Sequence, residues 1–86
     1  MKQFDYTIQN PLGMDFRRTG LLTRLAKRYT DTTITVTKGD QTVKANQLTR
    51  MMGLSVKSGD KIVVTVDGPA ESSALFNMRR FFEDNL

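Results

Sequence analysis

Polar and apolar residues alternate from Lys2 to Gln9, with Phe4, Tyr6 and Ile8 on one side and Asp5, Thr7 and Gln9 on the other. A period of two is the mark of a half-buried strand. The period then changes. Leu22, Leu25, Ala26 and Tyr29 recur at helical spacing, which predicts a helix opening at Asp15 or a neighbour and running to about Tyr29. Alternation returns over Thr32 to Thr37, with Ile34 and Val36 inward and threonines outward. Lys38-Gly39-Asp40 turns this strand back into a weaker one, Gln41 to Lys44, making a hairpin. Asn46 stands at the N-cap position of a short helix closed by Gly53, whose apolar side is Leu48, Met51 and Met52. In Lys61 to Val66, the most β-prone segment, Ile62, Val64 and Val66 share a face. A last helix starts after Pro69 on a stripe of Ala74, Leu75, Met78, Phe81 and Phe82. The predicted order is β-α-β-β-α-β-α. Every strand alternates, so the sheet has one wet face and one helix-covered face: an α+β two-layer sandwich.

Composition narrows the chemistry. The 86 residues suit one domain spanning 1–86, and they include no cysteine, no histidine and no tryptophan. Disulfides, thiolate nucleophiles, imidazole bases and His- or Cys-ligated metals are thereby excluded. The acids are scattered without EF-hand or triad spacing, and no phosphate-binding glycine loop is present, so neither a metal nor another cofactor is expected. With no long apolar run and no leader or lipidation signal, the chain reads as cytoplasmic and not membrane-inserted. Lys and Arg number 13 against 9 Asp and Glu, a formal net charge of +4. That balance favours acidic partners. A basic nucleic-acid-binding domain is one alternative, but the ribonucleoprotein aromatic pair, the GxxG loop and the zinc knuckle are all missing.

The first helix carries the most distinctive polar pattern. Arg17, Arg24 and Arg28 fall in a narrow stripe beside Leu21, with Gly20 at its edge. A mid-helix glycine costs about 1 kcal/mol relative to alanine. Either something packs closely against Gly20, or the stripe is an ordinary solvated face. Phe16, on the first turn and away from the core-facing side, is open to two readings: a docking aromatic, or a side chain tucked against Asn10 to Gly13. Asp15 has a structural role at hand, since a carboxylate at the N-cap bonds free amides and complements the helix dipole.

The element order, together with Asn10-x-x-Gly13-Met14-Asp15-Phe16-Arg17, resembles HPr, the histidine-containing phosphocarrier of the bacterial sugar phosphotransferase system. The family motif is approximately Gly-Leu-His-Ala-Arg-Pro-Ala followed by a helix of this length, and the resemblance extends to Asn46–Met52, Gly53-Leu54 and the closing helix. It implies an open-faced sandwich with strand order 1-4-2-3 and three helices on one side. It implies that Asp15 holds the phosphorylated histidine's position, that Arg17 is the phosphate-stabilising arginine, and that Arg18 replaces a proline. Asn46 corresponds to the regulatory serine of Gram-positive members and has no hydroxyl to phosphorylate. Phe16, Arg17, Gly20, Leu21, Arg24, Arg28, Leu48, Met51 and Met52 correspond to the surface where enzyme I, IIA domains and regulatory proteins dock. The expectation is a non-catalytic regulatory or protein-binding paralogue with acidic protein partners; the alternative is a phosphocarrier that uses Asp15 as acceptor.

Overall fold

The seven predicted elements form, in the predicted order, in a computed structural model that describes residues 1–86. Strands β1 (Lys2–Thr7), β2 (Thr33–Lys38), β3 (Gln41–Lys44) and β4 (Lys61–Asp67) make one sheet in the order β1-β4-β2-β3, with helices α1 (Phe16–Ala26), α2 (Leu48–Gly53) and α3 (Glu71–Asn85). All three pairings are antiparallel. The alternation read from the sequence becomes a register. Phe4 lies opposite Val64, Val64 opposite Val36, and Val36 opposite Val43, so one apolar row crosses all four strands. The helices seal that face. Phe82 of α3 meets Phe4 and Tyr6 edge-on, with ring centroids 5.9 and 5.6 Å away. Burying such a ring is worth about 3–5 kcal/mol against alanine.

One loop positions the start of α1. The segment between α2 and β4 is held from below by Lys38, whose ammonium donates to the carbonyl oxygens of Leu54 (3.2 Å) and Ser55 (2.8 Å) and pairs with Asp60 at 3.0 Å. Asp60 also accepts the Lys57 N–H. That backbone bond first, and the Lys38 charge second, hold the Asp60 carboxyl below its ordinary 3.8. The fixed loop presents the Val56 carbonyl, which accepts the Met14 N–H at 3.0 Å and so locates the approach to α1.

Three local expectations need correction. Helix α1 stops at Ala26 instead of Tyr29. Beyond it Arg28 and Tyr29 donate to Leu25 and Ala26, and these i→i+3 bonds tighten the last turn out of α geometry. Asn46 does not cap α2. The helix begins at Leu48, its N-cap is Gln47, and no side chain supplies a capping bond. Asn46 is thus one residue too early to reach the free amides of the first turn. Met51, expected on a docking surface, is 2% exposed. Periodicity located the apolar arc of α2 but not which part faces inward. Leu54, one turn on, is also buried and aligns the core side with Met51, leaving Leu48 and Met52 half-buried at the rim. Asn46→Ala should therefore change stability by less than about 0.5 kcal/mol, as an exposed side chain away from special features does; a denaturant titration of both chains checks this.

Candidate functional site

The turn before α1 is set by Gly13. Its φ is +64°, and an added Cβ would stand 2.8 Å from the Val56 oxygen and 2.9 Å from the Lys57 Cα. Only glycine allows this approach. Asn10 closes the turn through its Oδ1, which accepts the Leu12 N–H at 2.9 Å, and its carbonyl, which accepts the Gly13 N–H at 2.9 Å. Met14 is buried, and its carbonyl accepts the Thr19 hydroxyl at 3.1 Å. Asp15 follows as the N-cap of α1 in extended conformation.

Both oxygens of Asp15 are engaged by one residue. Oδ1 accepts the backbone N–H of Arg18 at 2.9 Å, and Oδ2 accepts Nη1 of the Arg18 guanidinium at 2.8 Å. The Nε of Arg18 donates to the Asn85 carbonyl at 3.2 Å, and Asn10 Nδ2 donates to the same oxygen at 3.1 Å. Arg18 therefore joins the N-terminus of α1 to the C-terminal end of α3, where a cation complements the negative end of the helix. The motif around Asp15 singles out Arg17, but Arg17 is exposed and enters none of the chain's ion pairs. The residue that sequence reasoning missed is Arg18. Its signal was present: a cation three residues after an N-cap acid lies on the same side of the first turn.

On the outer side of this turn, a groove of about 480 Å³ runs between α1 and α2. Phe16, Arg17, Gly20, Leu21, Arg24 and Leu48 line it, together with Thr23 and Lys27. Six of the expected docking residues thus come together. Phe16 is 68% exposed and Leu21 37%, which decides the two readings of Phe16 in favour of an outward ring. Nothing lies within 4 Å of where a Gly20 Cβ would be, so no part of this chain requires the glycine. Arg28 does not line the groove: the tightened turn after Ala26 carries it off the helical stripe, and Lys27, the C-cap of α1, lines the groove instead. Met52 faces a different cleft, with Pro11, Leu12 and Met14. Beneath the groove the Thr23 hydroxyl is buried without a hydrogen-bond partner. No three acidic side chains gather anywhere as a possible metal site, and no helix is long and apolar enough to cross a membrane.

The cap and the ion pair are expected to act as one unit. Asp15→Ala should cost about 1–2 kcal/mol, the upper range for a lost N-cap, with a small addition from the ion pair. Arg18→Ala keeps the backbone N–H and should cost less. Chemical denaturation of the two single variants and the double variant should give a coupling of about 0.5–1 kcal/mol, as for residues in one network. Additivity would mean the pair is idle.

The comparisons with known proteins agree with this architecture. The family described as "PTS HPr component phosphorylation site" matches residues 2–84. The phosphocarrier protein HPr of Xylella fastidiosa (strain Temecula1) is 30% identical over 86 residues, covering all of this chain and 96% of that protein. The crystal structure of HPr-C-His from Thermoanaerobacter tengcongensis superimposes with a TM-score of 0.91 at 25% identity, over 98% of this chain and 93% of that one. The histidine-containing phosphocarrier protein of Mycoplasma gives 0.91 at 19% identity, over 96% and 93%, a likeness of fold alone. The family match over residues 2–84 and the 30% identical HPr, on an open-faced sandwich in the order β1-β4-β2-β3, place the chain in the HPr family of phosphotransferase-system phosphocarriers.

Proposed function

We propose that this protein is a docking member of the HPr family that works through its surface, in the cytoplasm, without carrying a phosphoryl group. The observation that carries this reading is the engagement of both Asp15 oxygens by Arg18. An acceptor must present a free lone pair to the incoming phosphorus. In a family member the acceptor is a histidine, and this chain has none. Asp15, which the motif aligns with it, holds one charge-assisted bond on each oxygen, so an attack on phosphorus would have to compete with the Arg18 N–H and guanidinium. The two departures from the motif also fit each other. A proline at position 18 has no N–H, so a carboxylate at position 15 could not cap it; Arg18 supplies both the missing N–H and a countercharge. Because Arg18 neutralises Asp15, the pair is a poor imitation of a phosphorylated residue, whose charge is about −1.5 to −2. Arg17 stays exposed beside the groove and serves docking in place of phosphate binding.

The groove supports an acidic protein partner. Apolar Phe16, Leu21 and Leu48 sit among Arg17, Arg24 and Lys27, the mixture of an apolar centre in a charged surround that suits a protein interface. Nucleic acid rewards a broader basic face with several stacking aromatics, and Phe16 is the single aromatic here. Asn46, without a hydroxyl, offers a serine kinase nothing to modify.

Binding to purified enzyme I and to a sugar-specific IIA domain, the partners that family membership suggests, tests the reading. Arg17→Glu with Arg24→Glu should weaken binding at least tenfold, chiefly through a slower association that also falls with salt, with the melting temperature within a few degrees. Gly20→Ala should stabilise the free protein by about 0.5–1 kcal/mol and yet weaken binding by filling the point of closest approach. Equal binding by all variants would reduce the stripe to a solvated face. Selective retention of DNA or RNA, abolished by the double reversal, would favour the nucleic-acid alternative.

A further inference from the structure

A second cleft, of about 310 Å³, opens at the other end of α1, between the turn that follows the helix and the β2–β3 edge of the sheet. Its polar wall is Lys27, Thr30, Thr33, Lys44 and Asn46, and its floor includes Ile34. No acidic residue lines it. The chain's ion pairs use Met1, Arg18, Lys38 and Lys61 as cations, which leaves Lys27 and Lys44 uncompensated. The neighbouring hydroxyls of Thr32 and Tyr29 are committed to Ala70 N–H (2.9 Å) and Asn77 Nδ2 (2.6 Å). Those of Thr30 and Thr33, and the amide of Asn46, belong to exposed residues and are directed to no partner in the chain. The negative end of α1 is only partly open beside this site. The Thr23, Leu25 and Ala26 carbonyls are occupied by the Lys27, Arg28 and Tyr29 N–H groups, which leaves less exposed partial charge than a terminus with all four carbonyls free.

We propose that this cleft binds a small phosphate ester. Two unpaired ammonium groups match a dianion that carries about −1.5 to −2 charge at neutral pH, and lysine holds phosphate as a mobile point charge. The cleft is roomier than a bare phosphate needs and has an apolar floor, so an organic portion occupies the remainder. The two threonine hydroxyls and the Asn46 amide can both donate to and accept from hydroxyls on that portion. Asn46, which caps nothing, acquires a role here. The site is separate from the α1–α2 groove except for Lys27, which lines both. Lys44 is therefore the cleaner probe: it lies on the edge strand β3 and lines only this cleft.

Titration of the ¹⁵N-labelled protein with glycerol 3-phosphate and with inorganic phosphate, at constant ionic strength, tests the proposal. Saturable shifts should concentrate at the amides of Thr30, Thr33, Lys44 and Asn46, with the ester binding tighter than inorganic phosphate. Lys44→Ala should weaken the ester about fivefold, the effect of removing one solvent-exposed charge contact, with the remaining amide spectrum superimposable on the parent's. Shifts that fail to saturate, equal affinity in Lys44→Ala, or equal affinity for the two anions would each overturn it. Enzyme I binding by Lys44→Ala reads the groove independently, so failure of one site leaves the other interpretable.

Discussion

Arg18 holds two helix ends together, and the arrangement of the site depends on it. Its backbone and guanidinium close around Asp15 at the start of α1, while its Nε reaches the Asn85 carbonyl at the end of α3. The positive end of one helix and the negative end of the other are thus joined through one acid and one base. Each contact is worth only about 1 kcal/mol. Their importance lies in the Asp15 carboxylate, which they hold paired at the start of α1 while leaving it partly exposed. Glycine at 13, the Lys38–Asp60 clamp and the Val56 carbonyl serve the same end by locating the turn on which Asp15 sits.

What is left exposed is the surface proposed for docking. Phe16 and Leu21 are open to solvent, Gly20 has clear space above it, and Arg17 and Arg24 stand unpaired on either side. None of these features improves packing within the chain. A glycine inside a helix weakens it, and an exposed aromatic ring gains little from folding. Both make sense as the receiving half of an interface, where a small residue admits the partner and the ring supplies buried area. The cost to the free domain is modest because the core beneath is closed by Leu22, Ala26 and Met51.

The fold was legible in the sequence because its strands alternate and its helices carry clear apolar stripes; the alternation told which residues face inward, but the register that lines up Phe4, Val64, Val36 and Val43 is seen only in the structure. Element ends were less legible. Asn46 is a good capping residue one position too early, and the end of α1 is decided by a tightened turn that no residue type announces. The site was legible as a surface but not as a network. Met51 belonged to an apolar arc whose orientation is set by how α2 packs against α1 and β3. Arg28 was placed in the stripe by extending a helix that stops two residues before it. Arg18 was hidden because the motif points to Arg17, and because its reach to Asn85 spans most of the chain.

The central claim is that Asp15, capped and paired, is not a phosphoryl acceptor. Incubation of the protein with labelled phosphoenolpyruvate and enzyme I tests it most directly, with an active histidine-containing HPr labelled in parallel. The account predicts no incorporation above background. Stoichiometric label that disappears in Asp15→Ala would contradict it and make the protein a phosphocarrier that uses a carboxylate.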